Sequence, residues 1–203
     1  MKTDYQPEGN YYDKYHSTNP IVKWMMNKFL GDFKELLQQT EGVKTILEAG
    51  CGEGEISNYI WKYYGKLCRI EAFDISKRII QRARNKNTEI EFSIGNIYEL
   101  NTRGGYELVV CSEVLEHLEN PRKALENLIN ATSNYLILSV PREPIWRILN
   151  ILRGKYWSDF GNTPGHIQHW GSYNFIRFLK NDEMKIVKVK RPFPWTMVLL
   201  KKY

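Results

Sequence analysis

The sequence has no uninterrupted apolar run near the roughly 18 residues that a helix needs to cross a bilayer, which argues against a helical membrane-spanning protein. Its opening, MKTDYQPEGN, is polar where a secretory leader is hydrophobic, so the chain is expected to be cytoplasmic. Cysteine is scarce. Cys51, Cys68 and Cys111 are an odd number with no C-x-x-C pair, each in or beside an apolar segment. They read as buried free thiols, and no metal site is expected. No repeat, low-complexity tract or interdomain linker divides the 203 residues, so residues 1–203 are expected to form a single domain with a sizeable core.

Charge is present but unevenly placed. Residues 1–140 carry 17 Lys and Arg against 19 Asp and Glu, a balance of −2, whereas residues 141–203 carry 12 against 4, a balance of +8. A basic third attracts nucleic acid, anionic membrane or a phosphorylated substrate, and it serves equally well as a solvated face.

Hydrophobic periodicity supplies the elements. Over 19–39, NPIVKWMMNKFLGDFKELLQQ spaces Ile21, Trp24, Met25, Phe29, Phe33, Leu36 and Leu37 as a helix does, with Asn19 as cap and Pro20 as first helical residue. Strands TILEA, RIEAFDI, IEFSIG, YELVVCS and NYLILSV then alternate with helices ISNYIWKYY, SKRIIQRARN (capped by Ser76) and PRKALENLINAT. Nearly all-apolar strands between helices imply a parallel sheet covered on both faces. A helix in GSYNFIRFLKN precedes KIVKVKR and TMVLLKK, which are too close for a helical crossover and imply a hairpin. The expected fold is α/β, Rossmann-like and doubly wound. It has seven strands, mostly parallel with an antiparallel C-terminal pair, and an N-terminal helix.

Residues 141–171 fit neither pattern. They hold Trp146, Tyr156, Trp157, Phe160 and Trp170 with four basic residues and two histidines, and read as a substrate-side insertion after the fifth strand. The apolar side chains of WRILNILRG within it suit packing on the domain or contact with a membrane surface.

TILEAGCGEGEIS places Gly50, Gly52 and Gly54 directly behind the first strand. Alternate glycines there point to a tight turn or to a ligand against the main chain. A dinucleotide loop needs a third glycine where Glu55 stands, and Glu53 and Glu55 oppose a phosphate. A cationic ligand without phosphate suits these acids better.

Glu48-Ala49-Gly50-Cys51-Gly52-Glu53-Gly54 resembles the first motif, acid-x-G-x-G-x-G, of the class I S-adenosylmethionine-dependent methyltransferases. The resemblance runs from about Thr45 to Val140. Asp74 stands where the family has the acid that accepts from both ribose hydroxyls. Asn96 stands where it commonly has an Asp reaching the adenine amino group, and an amide oxygen still accepts there. YELVVCSEVLEHLENPRKAL resembles a subgroup that includes ubiquinone-biosynthesis and many small-molecule enzymes, with Glu107 in place of the usual Asp. The resemblance implies S-adenosyl-L-methionine as cofactor. It implies Glu48, Gly50, Cys51, Gly52, Gly54, Asp74, Ile75, Asn96, Ile97, Cys111 and Ser112 as its binding residues, with Glu48 near the amino group and Ile97 on the adenine.

Methyl transfer to a hydroxyl is helped by a general base, usually histidine. His117 lies in the Leu-Glu-His of the resembling motif, and His166 and His169 lie in TPGHIQHW after the insertion. His117 and His166 are the candidate catalytic residues. Tyr15, His16, Trp146, His169 and Trp170 are candidates for acceptor binding, the first two within an N-terminal lid (1–40) that also holds Tyr11 and Tyr12. The acceptor is expected to be a small molecule: a glycosylated or lipid-linked intermediate, or an aromatic one. Nucleic acid is disfavoured because no N-P-P-[YF] stands where CSEV does. An RNA or protein methyltransferase and a non-catalytic cofactor-binding subunit remain as alternatives.

Overall fold

The computed structural model describes residues 14–40 and 42–203; Tyr11 and Tyr12, expected in a lid, lie outside the described residues. Its sheet has seven strands: β1 (Thr45–Ala49), β2 (Arg69–Asp74), β3 (Glu91–Ile94), β4 (Tyr106–Ser112), β5 (Thr132–Pro141), β6 (Met184–Lys190) and β7 (Trp195–Lys202). Their spatial order is β3-β2-β1-β4-β5-β7-β6. β1 to β5 pair in parallel, while β7 runs antiparallel to both β5 and β6. The expected doubly wound sheet with an antiparallel final pair is what forms.

Alternation along each strand builds two cores. Ile46, Ile70, Leu108, Val110 and Ile137 face one side, where α1 (Pro20–Leu37), α2 (Glu55–Tyr64) and α3 (Lys77–Lys86) cover them. Leu47, Val109, Cys111, Leu136 and Leu138 face the other, under α4 (Pro121–Ala131) and α6 (Ser172–Phe178). Both faces of a parallel sheet must be buried, which is why these strands read as continuous apolar runs. Glu107, the departure from the family pattern, accepts from the backbone N–H groups of Lys44 and Thr45 and so ties β4 to the entry of β1.

α1 starts as its sequence dictates: Asn19 Oδ1 accepts from Ile21 N at 2.9 Å, and Pro20 is the first helical residue. Its core face differs from the expected one. Met26, Phe29, Phe33, Leu36 and Leu37 are buried, whereas Ile21 and Trp24 are 67% and 50% exposed. Trp24 lies against the Phe193 ring, centroids 6.4 Å apart, and Ile21, Val22 and Met25 line a cavity.

The insertion is partly helical. α5 (Ile145–Leu152) contributes no buried apolar side chain to the core; Ile148 and Leu152 are half or more exposed. It is held by half-buried Trp146, which packs on Trp195 with ring centroids 5.6 Å apart, and by polar contacts. Buried Asn150 donates through Nδ2 to the Gly161 carbonyl at 2.8 Å and to Thr163 Oγ1 at 3.0 Å, and Trp146 Nε1 donates to the same Oγ1 at 2.9 Å. No described helix is long and apolar enough to cross a membrane.

Candidate active site

β1 lies at the point where the strand order reverses, with β2 on one side and β4 on the other. Ligands of open α/β sheets bind in the crevice beyond the carboxyl ends of such strands. There a cavity of about 640 Å³ opens, lined from the strand ends and the loops after them by Glu48, Gly50, Cys51, Gly52, Asp74, Ile75, Asn96, Ile97 and Ser112. The turn after β4 adds Glu116 and His117, the insertion after β5 adds Trp146, Asn150, Thr163 and His166, and Tyr15 lines it from the segment before α1.

The three glycines have different tasks. All take positive φ (+75, +52 and +78°), which side chains disfavour. A Cβ on Gly50 would overlap Val114, and one on Gly54 would come within 2.9 Å of Phe92 Cζ. A Cβ on Gly52 would meet nothing within 4 Å. Gly50 and Gly54 are therefore bare because the protein packs against them, and Gly52 is the one whose bareness leaves space for a ligand. Gly54 lies behind the cavity wall, as does Cys111, which is fully buried in β4.

The acids sit as a cationic ligand requires. Glu48 is 2% exposed, bonded to Ser57 Oγ, and its carboxyl is pushed up to about 8 by burial. An ammonium or sulfonium nearby would offset that cost by restoring a counter-charge. Asp74 uses one oxygen to accept from Gly52 N and the other from Ser76 N, both at 3.0 Å. It thus shapes the glycine loop, and the lone pairs left over can still accept from a diol. Asn96 Oδ1 likewise accepts from Tyr98 N at 3.0 Å, capping a short turn, and keeps a second lone pair. A buried acid, a second acid and an amide, the last two with acceptor capacity left over, are chemically suited to the amino, ribose and adenine groups of S-adenosylmethionine.

At the acceptor end the histidines converge. His117 Nδ1 lies 2.9 Å from the Gly165 carbonyl, which can only accept, so the proton is on Nδ1 and Nε2 carries a lone pair. The His166 ring stands edge-on to it, centroids 4.8 Å apart, and stacks on Trp146 at 6.3 Å. Burial holds His166 down at about 3 and also lowers His117, so both rings are neutral near pH 7. The segment carrying His166 is tied to the motif loop, because the Glu116 carbonyl accepts from Ile167 N at 2.9 Å and Gln168 N at 3.0 Å.

Three expected acceptor residues stand apart. His169 and Trp170 do not line the cavity; Trp170 packs on Phe175 and Phe178 under the sheet. They fall past the point where the chain turns away toward α6. His16 also lies outside the lining, 3.9 Å from Glu55 and largely exposed. Tyr15 does line the cavity, its phenol raised by burial and then by Glu113, Glu48 and Glu55.

Sequence reasoning passed over Glu116, although the Leu-Glu-His triplet contained it, and over Asn150 and Thr163, whose partnership is tertiary. It also passed over Lys14 and Glu113. Glu113 adopts φ +58° at the end of β4 and pairs with Lys14 at 2.5 Å. A non-glycine residue at positive φ is uncommon and clusters at functional turns.

Residues 22–189 match the family model described as "Methyltransferase domain". A ubiquinone biosynthesis O-methyltransferase of Rickettsia canadensis is 25% identical over 174 residues, covering 83% of this chain and 69% of that protein. Magnesium protoporphyrin IX methyltransferase from Synechocystis PCC 6803, solved with bound S-adenosylhomocysteine, superposes with a TM-score of 0.68 at 17% identity, over 92% of this chain and 89% of that one. The plantazolicin methyltransferase, also solved with S-adenosylhomocysteine, gives 0.71 at 17% identity, over 91% and 92%. At such identities the structural likeness is one of fold.

Proposed function

The chain belongs to the methyltransferase-domain family, and from that premise we propose that this S-adenosylmethionine-dependent enzyme methylates a hydroxyl on a small-molecule acceptor with an aromatic or other apolar body. The observation that carries the reading is the pair of neutral imidazoles, half-buried His117 and buried His166, which line the same cavity as Glu48 and are flanked by the Trp146 ring. A flat acceptor body suits the Trp146 face, and a hydroxyl suits an imidazole lone pair. Glycosylated, lipid-linked and phenolic acceptors all share that combination.

When bound, the cofactor supplies an activated methyl, so the protein's task is to position and to remove a proton. Glu48, Gly52 and Asp74 hold the cofactor end. His117 is fixed by the Gly165 carbonyl, so its Nε2 can accept the proton of an acceptor hydroxyl. His166, kept neutral by burial, can do the same or orient the oxygen. Trp146, Leu149 and Leu152 of α5 line the cavity with Tyr15 and give the acceptor an apolar wall. The curated relative's O-methyltransferase activity supports the same choice of atom.

The RNA or protein reading draws on the basic C-terminal third. Part of that charge is already answered within the fold, since Lys190 pairs with Asp32 at 3.1 Å and Glu35 at 2.5 Å. The test is release of S-adenosylhomocysteine from S-adenosylmethionine on addition of phenols, quinols and glycosylated or lipid-linked hydroxyl compounds, with RNA and protein acceptors alongside. Turnover with a small hydroxyl compound supports the reading; turnover confined to RNA or protein overturns it.

A further inference from the structure

The segment before α1 runs across the cavity. Lys14 Nζ pairs with Glu113 Oε2 at 2.5 Å, just past β4, and lies 5.6 Å from the centre of the Trp195 ring at the start of β7. Two residues on, His16 Nε2 stands 3.9 Å from Glu55, the first residue of α2. Between them Tyr15 packs against the core, its phenol raised by burial and then by Glu113, Glu48 and Glu55, acids from both sides of the cavity. Lys14, Tyr15 and Asn19 line the same cavity as Glu48, Gly52 and Asp74, yet residues 14–19 belong to no helix or strand.

The partners of the Lys14–Glu113 pair differ in what holds them. Glu113 belongs to the scaffold, at φ +58° with its N–H donating to the Ser139 carbonyl of β5 at 2.9 Å. Lys14 belongs to the irregular segment. The pair is shielded, its side chains 13% and 15% exposed. Glu113 Oε1 has no hydrogen-bond partner, so among the described residues Lys14 alone answers this carboxylate. Lys14 serves Glu116 as well: that buried carboxyl is pushed up by burial and then by Glu113, and Lys14 acts the other way. Lifting Lys14 away therefore leaves two neighbouring acids without their cation, and a shielded charge that loses its partner costs far more than an exposed one.

We propose that Lys14 is a positioning residue of the cofactor site: its ion pair with Glu113 latches residues 14–19 over the cavity, and S-adenosylmethionine enters and leaves when that latch opens. The segment carrying Lys14 precedes residues 22–189, which match the family model, so family membership by itself does not supply the latch. The pair joins two protein groups and is made with the cavity empty or filled. Breaking it speeds entry and exit alike and leaves the equilibrium between them in place. A residue that held the cofactor by direct contact would behave differently, its loss raising the exit rate alone. The latch concerns the cofactor and does not rest on the acceptor proposed above.

The test is stopped-flow mixing of full-length protein with S-adenosylhomocysteine, followed by tryptophan fluorescence, since Trp146 and Trp195 line the cavity. Rapid filtration of labelled ligand gives the exit rate independently. Lys14→Met and Glu113→Gln should each raise both the association and the dissociation rate by about tenfold, with the dissociation constant within about threefold. The double variant should match the single ones, because each removes the same pair. Lys14→Arg keeps the charge and should restore slow exchange. Lys190→Met breaks a pair of similar exposure outside the cavity lining and should exchange ligand as the unaltered protein does. Should Glu113→Gln fail to fold in a thermal melt, Lys14→Met and Lys14→Arg carry the comparison. Exchange rates in Lys14→Met within about twofold of the unaltered protein, a rise in the dissociation rate alone, or additive effects in the double variant would each overturn the latch.

Discussion

His117 and His166 meet edge to face with ring centroids 4.8 Å apart, one delivered by the turn after β4 and the other by the insertion that follows β5. The first is fixed by the carbonyl of Gly165, the residue next to the second, so the two segments position each other. Disturbing either should disturb both.

Replacing His166 with Ala should lower kcat by about 100-fold, the lower end of what proton transfer by a side chain contributes. Affinity for S-adenosylmethionine should stay within about twofold, because His166 is carried by the insertion after β5 and not by the strand ends that carry Glu48 and Asp74. Steady-state kinetics beside calorimetric titration separate the two; unchanged turnover would remove His166 from the chemistry.

Asp74→Ala should weaken cofactor binding at least about tenfold, the loss of one charge-assisted hydrogen bond. The structure adds a reason beyond the expected ribose contact, since Asp74 accepts from Gly52 N and Ser76 N. Far-UV dichroism should be unchanged. Equal affinity in the variant would leave Asp74 with a loop-shaping role only.

Gly50→Ala and Gly52→Val should fail differently. The first drives a methyl into Val114 and should cost about 1–3 kcal/mol of stability, partly recovered by adding Val114→Ala. The second meets no atom but sets a β-branched residue at φ +52°, so it should lose stability that Val114→Ala does not recover and should reduce cofactor affinity as well. Thermal melts and S-adenosylhomocysteine titration on the same samples check both, and an equal melting loss with equal affinity would erase the distinction.

Glu48 gives a pH signature. Its carboxyl rises from an ordinary value of 4.5 to about 8 in the folded protein, so between those values the folded state holds a proton that the unfolded state has released. Stability of the ligand-free protein should therefore fall as pH rises through that window. Glu48→Gln should flatten the fall. Denaturant melts at intervals from pH 5 to pH 8 measure it, and an identical slope in the variant would contradict the assignment.

Asn150→Ala should free α5 from the 161–163 segment, destabilising by about 1–3 kcal/mol as a buried hydrogen-bond centre is lost. KM for the acceptor should rise more than KM for the cofactor. A rise confined to the cofactor would mean that α5 does not form the acceptor's wall.

Much of this protein was determined by local sequence. Alternating apolar strands, the Asn19 and Ser76 caps, and the glycine loop after β1 each act over a few residues, and each appears where the pattern places it. The placement of Glu48 and Asp74 belongs to the same class, because both sit at the ends of paired parallel strands, with Gly52 in the loop that follows β1. The acceptor end was decided by tertiary structure. Glu116 was visible inside a motif, but nothing in the sequence showed that both its oxygens would be buried without partners beside two histidines. His166 and His169 looked equivalent in TPGHIQHW, and only the path of the chain toward α6 brings one to the cavity and takes the other away. Helix and strand periodicity follow from neighbours along the chain, whereas a site assembled from the β4 turn and the β5 insertion depends on where two distant segments stop against each other.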